Sequence, residues 1–310
     1  MSGAVVAEAG AQLVDIVGPG AVLCIQGLMT GDLEAPGDGA FVYGATLTPK
    51  GMIVSDLWAG RTGTTVTLSY PSPARAALFD MFQRQLPPRL ARVTDHASAR
   101  AVLRMAGPTA IAAAERAGLA VPAPGRVGRS AFRPSDCVVC RPSADVPFAL
   151  EIHVTPEDSD AVLSALNAAG AGTVSSAALE LGRILAGWPR LGAEIDEKTL
   201  PQEVRFDEIG GVSYTKGCYT GQETVARLHF RGHTNRVLIG LAWQDAPDIQ
   251  QGAVVQGDRA VGRVTSLAWC GAIEQYVGLA LVRRDVDRDQ PVRAGEAPAR
   301  IVDLPFKLTA

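Results

Sequence analysis

The regular spacing of short apolar runs near the end of the chain is the feature that most constrains the fold. These runs cover residues 237–243, 253–256, 263–268 and 276–282. Proline and glycine residues separate them. Short strands at even spacing with this punctuation are typical of small all-β barrels. We therefore predict a β-barrel domain over residues 236–310.

The first 235 residues have a different texture, in which strand and helix patterns alternate. An apolar run predicts a strand over residues 12–17, and three further runs predict an antiparallel meander over residues 41–47, 52–58 and 64–70. Helices are predicted over 73–82, with Ser72 as N-cap, 109–120 and 158–169, and a further strand over 148–154. A stretch rich in proline and glycine near 121–147 predicts a connection between two subdomains. The fold class is α+β, with a domain over 1–235 built from two α+β subdomains.

Composition excludes several classes of protein. Hydrophobic residues make up 47% and charged residues 20% of the chain, which excludes global disorder. The 29 basic and 32 acidic residues give a net charge of -3. The protein as a whole therefore lacks the excess of positive charge that drives binding to the phosphate backbone of nucleic acids. Any contact with nucleic acid must therefore be local.

The cysteines and the apolar stretches bear on the compartment. Five cysteines in 310 residues are an odd number and form no disulfide framework, which favours reduced thiols. The longest apolar stretches, such as 21–25, are far shorter than the ~20 residues that span a bilayer. We expect a cytoplasmic, monomeric protein with no membrane contact.

Reactive residue types are concentrated in one segment, residues 216–227. Lys216, Cys218, Tyr219, Gln222 and Glu223 lie within eight residues of one another, next to two glycines at 217 and 221. The sequence after Thr220 favours a helix, which would place the thiol just before a helix N-terminus. The helix dipole and the Lys216 ammonium would then both favour the thiolate. A small buried cysteine in a tight loop is the alternative interpretation.

The order of motifs along the chain supports a family resemblance. K-G-C-Y-T-G-Q-E at 216–223, with Val225, Ala226 and Arg227, resembles the signature of the YgfZ family of folate-binding proteins. These proteins are relatives of the glycine cleavage T-protein (aminomethyltransferase) and assist iron-sulfur enzymes. Similar family motifs occur at 25–32, 43–56, 183–189, 200–203 and 261–266.

The resemblance implies a fold, a ligand and partners. It implies a GcvT-like cloverleaf of α+β subdomains around a folate pocket, closed by the C-terminal barrel. It implies tetrahydrofolate or another reduced folate as ligand, no tightly bound metal, and iron-sulfur enzymes or assembly proteins, including those that modify tRNA, as partners. The functional thiol would be Cys218. The remaining signature residues are Lys216, Gly217, Tyr219, Gly221, Gln222, Glu223 and Arg227, and the folate-binding candidates are Tyr43, Arg183, Trp188, Tyr219, Arg231 and Arg236.

Two departures from the T-protein separate this chain from glycine cleavage. The T-protein has a pterin-contacting glutamate where this sequence has Leu185, and a catalytic aspartate near a position that here reads Ser72-Pro73. Loss of such an acid or base typically costs ~10²- to 10⁴-fold in rate. Asp80 lies about one turn further along and is the alternative candidate. The competing function is accordingly a folate-dependent one-carbon transferase, either an aminomethyltransferase or a demethylase.

Two weaker sequence patterns each have a structural and a functional interpretation. Cys137 and Cys140 have metal-ligand spacing, but no second C-x-x-C exists, so a strand that contains two small cysteines is favoured. His229 and His233 lie among Arg227, Arg231 and Arg236. This basic cluster could contact RNA directly, although weakly, or a folylpolyglutamate tail, or it could be a solvated helix end.

Overall fold

A computed structural model of the chain describes residues 3–132, 135–144, 146–248, 252–294 and 297–307. The described chain divides into two compact units. The first comprises the described parts of Met1–Thr48, Val54–Leu179 and Gly210–Thr220, and the second those of Pro49–Ile53, Glu180–Ile209 and Gly221–Ala310. Within the described residues, no helix is both long enough and apolar enough to cross a membrane.

Most of the first unit is built from eleven strands and four helices. The strands are β1 (Ala4–Glu8), β2 (Ala11–Val17), β3 (Phe41–Leu47), β4 (Ile53–Thr62), β5 (Thr65–Pro71), β6 (Arg92–Asp95), β7 (Ala101–Ala106), β8 (Arg126–Phe132), β9 (Ser135–Arg141), β10 (Leu150–Val154) and β11 (Ala171–Thr173). The helices are α1 (Ala21–Gln26), α2 (Arg75–Gln85), α3 (Ala110–Arg116) and α4 (Pro156–Ala168). A 3₁₀ turn, Ser72–Ala74, leads into α2.

Two sheets organise these strands. One has the order β11-β1-β7-β10-β9-β8, and the other the order β3-β4-β5-β2-β6. Apart from the parallel pair of β1 and β11, the registered pairs are antiparallel. A core of apolar side chains from β1, β7, β9 and β10 packs with those of α3 and α4, and includes Leu103, Ile152 and Val162, all fully buried. In the second sheet β3, β4 and β5 are neighbours in chain order, which confirms the meander predicted over residues 41–70, and β2 lies beside β5.

The second unit contains a closed barrel with the strand order β12-β15-β14-β13-β16-β17. Its strands are β12 (Arg236–Trp243), β13 (Ala253–Gln256), β14 (Arg259–Cys270), β15 (Gln275–Arg283), β16 (Val292–Ala294) and β17 (Ala297–Val302). Helix α5 (Ser176–Ala186) runs from the first unit into the second, and α6 (Gln222–Arg231) precedes the barrel. A 3₁₀ turn covers Pro201–Val204. The predicted α+β class with a C-terminal barrel is confirmed.

Apolar side chains fill the barrel and cover one of its outer faces. Trp243, Val254 and Val282 belong to the interior cluster. A second cluster joins Ile184 of α5 to Leu238 and Leu279 of the barrel, and Leu185 packs against it. Leu185, where the resemblance to the T-protein implies a glutamate, is therefore part of an apolar contact.

The connection predicted near 121–147 is only partly a loop, which corrects the sequence interpretation. Strands β8 and β9 form a hairpin inside it, with Gly128 in the middle of β8. A side chain at this glycine would crowd Pro122, because its Cβ would lie 3.3 Å from the Cβ of that proline. Cross-strand pairing therefore overrides the local signal of glycine and proline. The division into domains 1–235 and 236–310 stays a prediction.

Candidate functional site

Lys216 anchors the signature loop to the end of helix α1. Its Nζ donates hydrogen bonds to the carbonyl oxygens of Gln26, Met29 and Gly31 at 2.7, 2.7 and 2.8 Å. The side chain is 9% exposed. The carbonyl of Gln26 is the last of α1 and lacks a partner within the helix, and the ammonium supplies a donor to it and to two carbonyls of the loop that follows. Burial lowers the pKa of Lys216 to about 8, although the charges of Asp32 and Glu34 oppose this shift.

The motif at residues 25–32 forms the other half of this anchor. The Gln26 amide donates to Asp32 at 2.9 Å, and its carbonyl oxygen accepts the N–H of Leu33 at 2.8 Å. Thr30 Oγ1 donates to the carbonyl of Gly211 at 2.5 Å and accepts the N–H of Ala45 at 2.8 Å. Polar groups of distant segments therefore hold each other in place.

Asp32 keeps its charge within this motif. Burial would raise the pKa of Asp32, but hydrogen bonds from the Ala35 N–H, the Gln26 amide and the Glu34 N–H outweigh that effect and lower the pKa. The backbone donors lie 3.1 Å from the carboxylate oxygen. An anionic Asp32 near the Lys216 ammonium balances the charge of the anchor.

Cys218 lies on the exposed part of the same loop. The thiol is exposed, whereas Lys216 and Tyr219 on either side are 9% and 7% exposed. The Tyr219 ring centroid lies 5.2 Å from Lys216 Nζ, and the N–H of Thr220 donates to the carbonyl of Gly27 at 3.0 Å. The alternative of a buried cysteine is therefore wrong. The loop holds an accessible thiol between two anchored residues.

Two details of the predicted thiol environment need correction. The three hydrogen-bonding donors of Lys216 are directed to backbone carbonyls, so its ammonium does not serve the thiol through a hydrogen bond. Helix α6 begins at Gln222 with Gly221 as N-cap, not at Thr220. Gly221 has a φ of 82°, a left-handed conformation that glycine adopts without strain.

Tyr43 belongs to an aromatic cluster in the first unit. Its hydroxyl donates to Asp56 at 3.3 Å, and its ring lies 5.1 Å from that of Trp58. Trp58 stacks on Phe41 at 4.8 Å and meets Phe148 edge-on at 5.3 Å. All four rings are at most 6% exposed. Packing inside the unit is therefore the observed role of the Tyr43 ring.

A buried charge network adjoins this cluster. Arg104 lies 4.4 Å from the Phe148 ring and donates two hydrogen bonds to Glu151, at 2.9 and 2.7 Å. His153 Nε2 lies 2.9 Å from the other oxygen of Glu151. Burial would raise the pKa of Glu151, but Arg104 and His153 outweigh burial and hold it at about 2. The carboxylate is therefore charged at any physiological pH.

Arg183 occupies the centre of a polar cluster in the second unit. It donates to Glu194 at 2.9 Å, to Glu180 at 2.8 and 2.6 Å, to Ser266 at 2.5 Å, and to the carbonyl of Trp188. Glu194 is fully buried, and Arg183 is 8% exposed. Burial disfavours the guanidinium charge, but the hydrogen bond to Glu180 and the charge of Glu194 outweigh burial and raise the pKa of Arg183.

Gly187, in the motif at residues 183–189, lies in the turn that follows helix α5. Gly187 has a φ of 64°, and a side chain there would collide with the Arg205 guanidinium. Arg205 donates to the carbonyls of Ala186 and Gly187 at 3.1 and 2.8 Å. Trp188, which follows, is 7% exposed. The motif therefore builds the turn after α5.

Arg236 is also paired inside the second unit. Its Nε and Nη2 donate to the two oxygens of Glu203 at 2.9 and 2.7 Å. Glu203 accepts the N–H of Leu200 as well, at 3.1 Å. The bidentate geometry is the strong form of an arginine-carboxylate contact. Hydrogen bonding to Glu203 raises the pKa of Arg236.

The other signature residues lie on or beside helix α6. Gln222 and Glu223 form its first turn, and Arg227 and Arg231 are exposed on its later turns. Neither arginine has an ion-pair partner among the residues that the structure describes. Of the folate candidates, the structure thus places Tyr43 and Tyr219 in one unit and Arg183, Trp188, Arg231 and Arg236 in the other. Whether they share one pocket stays a prediction.

Several residues of these clusters carry little signal in the sequence. Gln26, Thr30 and Asp32 are visible there only as letters of a family motif, and Arg104, Glu151 and Glu194 have no local signal. Within the described ranges, no three histidine, cysteine, aspartate or glutamate side chains are grouped so that they could hold a metal ion. Cys137 and Cys140 are buried in β9, as the strand interpretation predicts.

The fold is that of an aminomethyltransferase. The crystal structure of glycine cleavage system aminomethyltransferase T from Bartonella henselae superposes with a TM-score of 0.79 at 21% identity, covering 99% of this chain and 87% of that one. The sequence matches two family models, the GCVT N-terminal domain over residues 8–209 and the glycine cleavage T-protein C-terminal barrel domain over residues 236–307.

Sequence relatives of the chain include proteins that are described as tRNA-modifying protein YgfZ. The tRNA-modifying protein YgfZ of Vibrio atlanticus is 30% identical over 168 residues, half of this chain and half of the relative. The protein of the same name from Aliivibrio fischeri strain MJ11 is 33% identical over 125 residues, 39% of each chain. The chain belongs to the GCVT N-terminal domain family, whose model matches residues 8–209.

The extent of each similarity differs between the two kinds of relative. The alignments span half or less of the length of these YgfZ proteins. An aminomethyltransferase of Rubrobacter xylanophilus aligns over 93% of this chain and 79% of its own length, at 26% identity. Similarity to the YgfZ proteins is therefore higher but local, and similarity to the aminomethyltransferase is lower but extends along nearly the whole chain.

Proposed function

We propose that the protein is a cytoplasmic, monomeric, folate-binding accessory protein that supports assembly or repair of iron-sulfur enzymes, including tRNA-modifying ones. Cys218 is its functional thiol. The observation that carries this proposal is the exposure of Cys218 on a loop fixed by the Lys216 anchor. A thiol held in this way reaches a partner protein without reorganisation of its loop, and exposed thiolates are the reactive form of cysteine.

The thiol has three uses that fit this position. It can ligate iron transiently, become oxidised as a sensor, or form a mixed disulfide with a partner. Each requires solvent access, which Cys218 has and which the buried Cys137, Cys140 and Cys270 lack. The YgfZ relatives carry the description tRNA-modifying protein, which supports clients of that kind.

Complementation tests the role of the thiol. In a cell that lacks its own copy of the gene, Cys218→Ala should fail to restore the activity of an iron-sulfur tRNA-modifying enzyme. Cys24→Ala is the matched control, because Cys24 is partly exposed but lies on helix α1 outside the signature loop. Full rescue by Cys218→Ala would exclude the proposed function of the thiol.

Tetrahydrofolate is the proposed ligand, and its predicted contacts differ in how well they fit that role. Tyr43 and Tyr219 offer aromatic walls, but both are nearly buried, so little of either ring is open to a ligand. Arg183 and Arg236 are committed to carboxylates, so an anionic glutamate tail there would meet negative charge. Among the three arginines predicted to contact the tail, Arg227, Arg231 and Arg236, the first two fit best, because both are exposed and neither forms an ion pair within the described chain.

A calorimetric titration with tetrahydrofolate tests the ligand. We expect saturable binding to the wild-type protein and weaker binding to Tyr219→Ala. Absence of binding would remove the folate part of the proposal and leave the thiol part to the complementation experiment.

The alternative function is a folate-dependent one-carbon transferase, which the extended similarity to an aminomethyltransferase favours. Neither Asp80 nor Leu185 provides an acid or base suited to one-carbon transfer. Asp80 is exposed on α2 and paired with Arg84, and Leu185 packs in an apolar cluster. Formation of methylene-tetrahydrofolate from a methylamine donor would nevertheless establish the transferase.

A further inference from the structure

The exposed face of helix α6 combines an aromatic ring with cations. Phe230 is 67% exposed, the highest value among the large apolar side chains described. Arg227 and Arg231 lie three residues before it and one residue after it. Residues three and four apart are neighbours on a helix surface, so Phe230 and Arg231 both lie next to Arg227. We call Arg227, Phe230 and Arg231 the α6 face.

The ring of this face is held in position. His229 meets the Phe230 ring edge-on, with the ring centroids 4.8 Å apart and the planes at 88°. Asp207 Oδ2 lies 3.1 Å from Nδ1 of the same histidine. Asp207 is therefore engaged with His229. The exposed part of the Phe230 ring offers a surface on which a planar group can stack.

The charge of the face points to an anionic ligand. Arg227 and Arg231 have no ion-pair partner in the described parts of the chain, and His233 is exposed just beyond the helix. Glu223 lies one turn before Arg227 and is also exposed, but it forms no ion pair with that arginine within the described structure. Two exposed guanidinium groups one turn apart can bind two anionic groups of the same ligand.

We propose that the α6 face binds single-stranded RNA. A base would stack on the Phe230 ring, and the guanidinium groups of Arg227 and Arg231 would bind the flanking phosphates. Aromatic platforms flanked by cations are the usual means by which proteins bind single strands without reading the sequence. The net charge of -3 is compatible with this site, because the phosphate contacts are local. The proposal adds a ligand to the proposed accessory function, and Phe230, which is not among the predicted folate contacts, separates the two.

Fluorescence anisotropy with a labelled single-stranded 12-nucleotide RNA, about the length that one small binding surface covers, tests the proposal in the full-length protein. Phe230→Ala should weaken binding roughly fivefold to a hundredfold, the loss expected for one stacked base. Phe230→Tyr should restore it, whereas Phe230→Leu should not. Equal binding by wild type and Phe230→Leu would exclude stacking and overturn the proposal.

Salt dependence tests the arginines. The slope of log affinity against log salt should fall by about 0.7 in Arg227→Gln, the value for one phosphate contact on a single strand. Trp269→Ala is the matched control, because Trp269 is 48% exposed on the barrel and has no part in the α6 face. An unchanged slope in Arg227→Gln, or no binding by the wild type at low ionic strength, would refute the site.

Tetrahydrofolate titrations separate this inference from the proposed function. Phe230→Ala should bind tetrahydrofolate as the wild type does. If Phe230→Ala and Arg227→Gln bind RNA normally and the wild type binds folate, the RNA site is wrong and the accessory function stands. If RNA binding follows the predictions but folate does not bind, the RNA site stands and the folate proposal fails.

Discussion

The two units each bury a cation, and they stabilise it in opposite ways. In the first unit, Lys216 is surrounded by three backbone carbonyls, and burial lowers its pKa to about 8. In the second, Arg183 is surrounded by carboxylates, and hydrogen bonding and charge raise its pKa despite burial. Neutral dipoles accept hydrogen bonds from a cation without introducing a charge of their own, whereas carboxylates do introduce one.

Because the acceptors differ, removal of Lys216 and removal of Arg183 leave different groups without a hydrogen-bond or charge partner. Without Lys216, three neutral carbonyls lose a donor. Without Arg183, the fully buried carboxylate of Glu194 loses its counter-charge. An unpaired buried charge costs more than unpaired buried dipoles, so the arginine should matter more to stability than the lysine of the signature.

Arg183→Met should produce the largest loss. We expect the free energy of unfolding to fall by about 3–5 kcal/mol, because Glu194 stays buried without a cation. Chemical denaturation of the purified protein measures this loss. Arg190→Met is the matched control. It removes a mostly exposed arginine that lies 3.4 Å from Glu180, and it should cost less than about 1 kcal/mol. Equal losses in the two variants would contradict the contrast between the units.

Lys216→Met should produce an intermediate loss of about 1–3 kcal/mol, because carbonyls at the end of α1 lose their donor. Lys198→Met, at an exposed lysine, should change the free energy of unfolding by less than about 0.5 kcal/mol. A neutral result for Lys216→Met in denaturant melts would show that solvent or a neighbouring group replaces the ammonium.

The stability difference between the wild type and Lys216→Met should depend on pH. The pKa of Lys216 is about 8 in the folded protein, and that of a lysine in an unfolded chain is about 10.4. Between these values the unfolded chain binds more protons, so the stability of the wild type relative to Lys216→Met should rise as the pH increases from about 8 to about 10. Below a pH of about 8 the difference should be constant. A decrease over this range would contradict the lowered pKa.

Cys218→Ala should have the smallest effect on stability. The thiol is exposed, and the loop is held by Lys216 and Thr220 through contacts that do not involve it. We expect a change within about 0.5 kcal/mol in a thermal or chemical melt. A large loss would mean that the thiol has a structural role, and the complementation result would then need a second variant such as Cys218→Ser.

Local patterns predicted the barrel and the meander correctly because strand signals there are strong and bounded by glycine and proline. They failed at 121–147, where the hairpin of β8 and β9 forms in spite of Gly128 and the neighbouring prolines. Pairing with β10 in a larger sheet stabilises that hairpin, and such a partner is invisible in a local window.

The candidate site also combines residues that a local motif identifies with contacts that only the tertiary structure shows. Lys216, Cys218 and Tyr219 could be identified from the signature, but the role of the lysine could not. Its three acceptors lie 185 to 190 residues away in the chain. The sequence suggested a partnership between Lys216 and Cys218 because they are close in the chain, and the structure directs the ammonium elsewhere.

The sequence by itself determined the α+β class, the C-terminal barrel, the family and the position of the signature thiol, because each of these is written in local periodicity or in a contiguous motif. Only the tertiary structure decided which charged residues are committed to one another. Arg183 with Glu194, Arg104 with Glu151, and Lys216 with the end of α1 are joined by folding. The energy of a buried charge depends on its neighbours in space, and these neighbours are set by packing.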